Sequence, residues 1–188
     1  MFLRRSPIVD LYQSVSVSSF LANFAAIQLE RDDILARVNQ MLLKALEHGH
    51  FVTLFLARLN PDHRSLSNAS AGHVPSFVFV ESGEVKCTLD RTGPPLGLFS
   101  GSKFSLRPAI PLDKGEIVLF LTDGVTESTK PDGHQFGSLR VLDYVQAHNP
   151  DSASNLADGL YQATPTFVQG DPQDDDITSD IIKADRSM

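Results

Sequence analysis

In LFLTDGVTE, Leu119 to Glu127, an apolar run meets a single acid. The run begins earlier, at EIVLFL, and is apolar at successive positions, as in a strand buried on both faces. It ends at Asp123, which Gly124 follows at once. Asp-Gly after a strand is a common turn pair. The same carboxylate, delivered to a strand end, also suits a cation waiting there.

Working outward, "EVKCTLD" and "SFVFVES" form a predicted hairpin about Ser82-Gly83. "SLSNASAG" reads as a small-residue strand. "FVTLFLARL", Phe51 to Leu59, reads as a strand covered on two sides, by another sheet and by helices. "KFSLRPAI" is a further strand, with Pro108 assigning it to an edge. Helices are predicted over Ser16–Leu29, Asp33–His48, Gly137–His148 and Asp151–Thr164. The clearest is Asp33–His48, where Ile34, Leu35, Val38, Met41, Leu42, Ala45 and Leu46 share one face. Asp32 or Asp33 is placed to cap its start and Gly49 to close its end. A short strand, "ITSDIIK", closes the chain. Strands that follow one another through short turns favour antiparallel sheets over crossover units. The expectation is one α+β domain spanning residues 1–188, an antiparallel β-sandwich flanked by helices.

Bulk properties narrow the function. The 188 residues include 41% hydrophobic and 21% charged residues, an ordinary globular balance. A net charge of -7 and the lack of a basic cluster argue against nucleic acid. No run approaches the ~20 apolar residues of a membrane span, and no apolar core follows Arg4-Arg5 as in a signal peptide. A single cysteine, Cys87, forbids an internal disulfide and fits a cytoplasmic location; it is expected to be a small core residue. His73, in "AGHVP" between strands, is read as structural. No zinc-type histidine spacing, Gly-x-Ser-x-Gly elbow or P-loop is present.

Three acidic positions sit at predicted strand ends: Asp123, the triplet Asp174-Asp175-Asp176, and Asp10. Hard cations take carboxylate oxygens, and carboxylates gathered without a cation repel one another. Each position also has a plain reading, as a turn or a solvated loop.

Taken together, "ILARVNQMLLKAL", "FVTLFLARLNPDHRSLSNASAGHVPSFVF", "TGPPLGLF", "GEIVLFLTDGVTESTKPDGHQFG" and "DDDIT" resemble the SpoIIE/RsbU-like bacterial phosphatases, from about residue 34 to 183. These are metal-dependent serine/threonine phosphatases related to protein phosphatase type 2C. The resemblance implies an α-β-β-α sandwich with two Mn²⁺ or Mg²⁺ ions held mainly by Asp. It implies that Asp123 and Asp175 are metal ligands, with Asp176 adjacent and Asp10 at a third ligand position. Gly124 would permit a tight turn beside the ligand through positive φ, and Gly72 and Gly97 would be turn residues. The segment through Phe136-Gly137 would border the substrate mouth. The implied reaction is hydrolysis of a phosphoserine or phosphothreonine ester by metal-activated water. The implied partner is a phosphorylated anti-sigma-factor antagonist.

The sequence also departs from that pattern. A "GGDxxD"-type strand has no counterpart, so the sandwich is expected to lack its first strands, with residues 1–33 divergent. Gln13 and Val15 stand where "DVSGHG" has glycines. Asp180 occupies a usually apolar position, which either weakens the last strand or places it at an edge. A shortened sheet would leave an edge open to homodimer pairing. An inactive phosphatase-like module that binds a partner is the alternative.

Overall fold

The computed structural model describes residues 2–5, 31–47, 49–168 and 177–184. The helix expected over Ser16–Leu29 lies outside them. The chain forms two compact units: Met1–His73 with Asp90–Pro111, and Val74–Leu89 with Leu112–Met188.

In the first unit, β1 (Phe2–Arg5), β2 (Val52–Asn60), β3 (Ser65–Ala71) and β6 (Ile110–Pro111) form an antiparallel sheet in the order β1-β2-β3-β6. Between β1 and β2 comes α1 (Arg31–Ala45). The β2–β3 register runs from Leu54 opposite Ala71 to Asn60 opposite Ser65. Residues alternate across a strand, so Leu54, Ala69 and Ala71 share one face. That face packs against Ile34, Leu35, Val38 and Leu42 of α1, with Leu96 and Phe104 completing the core. The small side chains of β3 let the helix approach the sheet closely.

One polar residue on α1 is almost fully buried. Asn39 is 1% exposed; its Nδ2 donates to the Phe99 carbonyl (2.9 Å) and its Oδ1 accepts from Gly97 N–H (2.8 Å). The "TGPPLG" segment is thereby tied to the helix. It is also tied to the sheet, since Val52 and Leu96 exchange both backbone bonds at 2.9 and 2.8 Å.

Several expectations are corrected here. Residues 2–5 form a strand that pairs with β2 and itself stands at the edge of the sheet. Only the first half of β2 is buried; Ala57, Arg58 and Leu59 are exposed. Asp32 and Asp33 lie within the first turn of α1, not ahead of it. Of "KFSLRPAI", only Ile110 joins a strand, paired with Leu66. Arg107 N–H still bonds the Asn68 carbonyl (2.9 Å), but Pro108 has no N–H to continue a ladder.

In the second unit, β5 (Val85–Leu89), β4 (Ser76–Phe79), β7 (Ile117–Leu121) and β8 (Ser179–Lys183) form an antiparallel sheet in the order β5-β4-β7-β8. The β4–β5 hairpin turns where expected, with Gly83 at φ +85°. Cys87 is half-buried on β5, not a core residue. All five residues of β7 are buried, as its unbroken apolar run implied. Ile117, Leu119 and Leu121 join Phe77 and Phe79 against α3 (Gly137–His148) and α4 (Ala153–Val168), through Val141, Val145, Leu156 and Leu160. α3 has the predicted bounds; α4 runs on through Pro165 to Val168. Asp180 is exposed on β8, an edge strand, as its polarity required. The Lys183 ammonium bonds the carbonyls of Asn149 and Asp151, just past the end of α3. Buried Glu116 accepts two bonds from Lys86 Nζ, both 2.8 Å, and one from Asp113 N–H at 3.0 Å.

Gly72 is a turn residue, as expected, with φ +66°. A Cβ added there would stand 2.4 Å from Pro95 Cγ, inside the "TGPPLG" segment. Gly72→Ala combines a left-handed backbone with an overlap, so it should cost about 2 kcal/mol or more, read as a lower urea midpoint.

Candidate functional site

The site is built where β7 ends. The last strand pair is Leu121 with Ser179. The ladder then continues one residue further through a side chain. Thr122 N–H donates to the Thr178 carbonyl (3.0 Å), and Thr178 N–H donates to Thr122 Oγ1 (3.0 Å). Thr122 is still extended, at φ -88° and ψ 162°. Its hydroxyl faces Thr178 and does not cap the helix that follows.

The chain then enters a single helical turn, α2 (Asp123–Thr126). Val125 drives this turn inward, fully buried among the apolar residues of the unit. Asp123 goes in with it and is 3% exposed. Its carbonyl accepts from Glu127 N–H at 2.7 Å and Thr126 Oγ1 at 3.4 Å. A carboxylate this deep needs a cation or hydrogen-bond donors around it, because desolvating the charge is otherwise very costly. Gly124 is not at positive φ; it is the second residue of the helical turn. The strand leads directly into a helix, so no left-handed reversal is required beside Asp123.

After α2 the chain forms a small hairpin. Ser128 Oγ donates to the Gly124 carbonyl at 2.5 Å, and the Ser128 carbonyl accepts from Phe136 N–H at 2.8 Å. Between these anchors Thr129 bridges Gln135, and Lys130 exchanges backbone bonds with His134 and Gly133. At the exposed tip, Asp132 Oδ1 accepts from His134 N–H at 3.0 Å and pairs with the His134 ring. The backbone bond, more than the ring, holds the Asp132 carboxyl below its ordinary range.

Of the sequence-derived ligand positions, Asp123 is placed; Asp10, Asp175 and Asp176 lie outside the described residues. Among the described residues no three His, Cys, Asp or Glu side chains gather as a metal site. His73 is buried, with Nδ1 3.1 Å from Thr53 Oγ1, which fits its structural reading. Thr122, Thr178 and Ser128 were not anticipated. Hydroxyl residues flanking "DG" were the available signal, but their partners lie 56 residues apart for Thr122 and on the backbone for Ser128.

The Stage II sporulation protein E (SpoIIE) family model matches residues 12–185. The chain belongs to that family. It is 34% identical over 137 residues to Protein IcfG of Synechocystis sp., covering 71% of this chain and 21% of that protein. It is 26% identical over 134 residues to the phosphoserine phosphatase RsbU of Bacillus subtilis, covering 69% of this chain and 38% of that one. The chain thus spans well under half the length of either curated relative. The SiaA PP2C domain of Pseudomonas aeruginosa superposes with a TM-score of 0.83 at 19% identity, over 97% of this chain and 74% of that one. The fold is therefore that of the PP2C-type phosphatase domains, the mixed helix and antiparallel-sheet class expected from the sequence.

Thr122→Val removes the acceptor of Thr178 N–H while keeping the side-chain shape. It should cost about 1–2 kcal/mol in urea unfolding. Amide exchange at Thr178 should accelerate, whereas exchange at Leu119 in mid-strand should not.

Proposed function

We propose that this chain is a metal-dependent phosphoprotein phosphatase domain acting on phosphoserine or phosphothreonine. The carrying observation is the burial of Asp123 at the end of a central strand whose neighbour, Thr178, follows Asp175 by three residues. Both units are assigned to one domain, which the extent of the family match over residues 12–185 supports.

The residues fit a hard divalent cation by donor type. Asp123 supplies carboxylate oxygen, the donor that Mg²⁺ and Mn²⁺ prefer. Asp175, Asp176 and Asp10 are the proposed further ligands. A solved relative of the same fold, the catalytic domain of PstP, holds two manganese ions. When bound, such ions supply a nucleophile at neutral pH and neutralise charge on a phosphoryl group. The chain's own part is positional. The Thr122–Thr178 bonds set where the strand stops, α2 buries the carboxylate, and Ser128 fixes the hairpin beside it.

The proposed substrate is a phosphorylated regulator of the anti-sigma-factor antagonist type, and the proposed location is the cytoplasm. The similarity to RsbU, named as a phosphoserine phosphatase, supports the reaction class.

The test uses p-nitrophenyl phosphate with Mn²⁺, beside calorimetric titration of Mn²⁺. The expected result is turnover abolished by EDTA and reduced about a hundredfold or more in Asp123→Asn, with the Mn²⁺ heat lost in the same variant. Mn²⁺ binding without turnover would leave an inactive binding module. Neither binding nor turnover would end the proposal.

A further inference from the structure

The hairpin that follows Asp123 carries a second feature. Lys130 Nζ lies 4.4 Å from the centre of the Phe167 ring, and Arg140 Cζ lies 4.6 Å from the same centre. Two cations therefore rest on one aromatic ring, within about 9 Å of each other. Among the described residues the ion pairs are Lys86–Glu116, Arg107–Asp90 and His134–Asp132, and neither Lys130 nor Arg140 takes part in one. Asp132, the acid nearest in sequence to Lys130, accepts from His134 N–H and pairs with its ring, and the Lys130 charge adds a smaller pull on the same carboxyl. In a chain of net charge -7, two cations thus share one ring, with the Asp132 carboxylate the acid that also feels Lys130.

The two cations are also held in place. Arg140 Nη1 donates to the carbonyls of Gln135 (2.9 Å) and Phe136 (2.8 Å). Lys130 belongs to the backbone pairing of the hairpin, and Phe136 packs edge-on to Phe167 at 5.3 Å. Much of the entropy cost of fixing long basic side chains is thus met before anything binds. Leu139, beside Arg140, is 76% exposed, an apolar contact at the margin of the charged patch. Ser128 fastens the base of the hairpin to Gly124, so the patch keeps a fixed register with Asp123.

We infer that Lys130 and Arg140, held on the Phe167 ring, form a docking surface for an acidic protein segment flanking the phosphorylated residue of the substrate. The word substrate rests on the phosphatase reading above; the charge complementarity does not. The patch would select acid-flanked phosphoserine sites and contribute to binding, leaving the chemical step on a small ester unchanged.

The test measures binding of two fluorescein-labelled phosphoserine peptides by anisotropy, using the full chain without added metal. One peptide carries three glutamates on each side of the phosphoserine, the other carries glycine and serine. The acid-flanked peptide should bind more tightly. Lys130→Ala should weaken it about fivefold at low salt, the scale of one exposed charge pair, and the difference should fade at high salt. Arg140→Lys keeps the charge but loses the planar guanidinium whose Nη1 donates to two carbonyls, so it should weaken binding less than Lys130→Glu does. Equal affinity for the two peptides, or equal affinity in wild type and Lys130→Glu, would overturn the assignment. So would concentration-dependent self-association lost in Lys130→Glu, which would make a second copy the occupant. Turnover of p-nitrophenyl phosphate is followed in parallel. Its absence in wild type would count against the phosphatase reading, while the peptide isotherms judge the docking surface separately.

Discussion

The seam between β7 and β8 is the constraint on which the site depends. Strand pairing alone would stop at Leu121 and Ser179. The threonine hydroxyl at 122 carries the ladder one step further, so the chain stays extended to the residue before Asp123. Helix then begins at once, and the apolar pull on Val125 rotates the turn into the protein. The carboxylate is buried as a consequence of that geometry. The backbone of Asp123 is placed by bonds between main chain and hydroxyls on either side of it.

Around this seam the second unit uses polar bonds where apolar packing ends. Lys183 meets the carbonyls beyond α3, and Glu116 is satisfied at the start of β7 by Lys86 and a backbone N–H. Gly159 has its own reason. A Cβ there would overlap the Tyr144 hydroxyl, so its lack of a side chain lets α3 and α4 pack closely at that point. The first unit solves a similar problem with Asn39, whose amide supplies both a donor and an acceptor to the loop over α1. Asn39 and Glu116 are buried polar groups that find matching partners, which is the condition for keeping one there.

The hairpin after α2 links the site to the surface. Its base is pinned by Ser128, its far strand leads into Phe136, and its Lys130 meets Arg140 of α3 on the Phe167 ring. A single fifteen-residue stretch, 123–137, thus runs from a buried acid through the half-buried Lys130 to the start of α3. That continuity puts the buried acid and the cations on Phe167 at the two ends of one short backbone path.

The strands and helices with strong local pattern were legible from composition and period. The apolar run of β7, the Gly83 hairpin and the bounds of α3 all follow from short-range chemistry, and so does the edge position marked by Asp180. The motif words around Asp123 were equally legible, and they carried the family. Features made by distant partners were not. β1 is four residues whose order comes from β2, some fifty positions away, and the half-exposed β2 shows how an apolar pattern overstates burial when cover is missing. Pro108 cut a predicted strand because one absent N–H outweighs several favourable side chains. Sequence by itself determined which acid ends the strand, since residue type and neighbours are local facts. Tertiary structure alone decided that Thr178 would meet Thr122, that Gly124 would be helical, and that Lys130 and Arg140 would share a ring. Those outcomes depend on contacts between segments that no local pattern encodes.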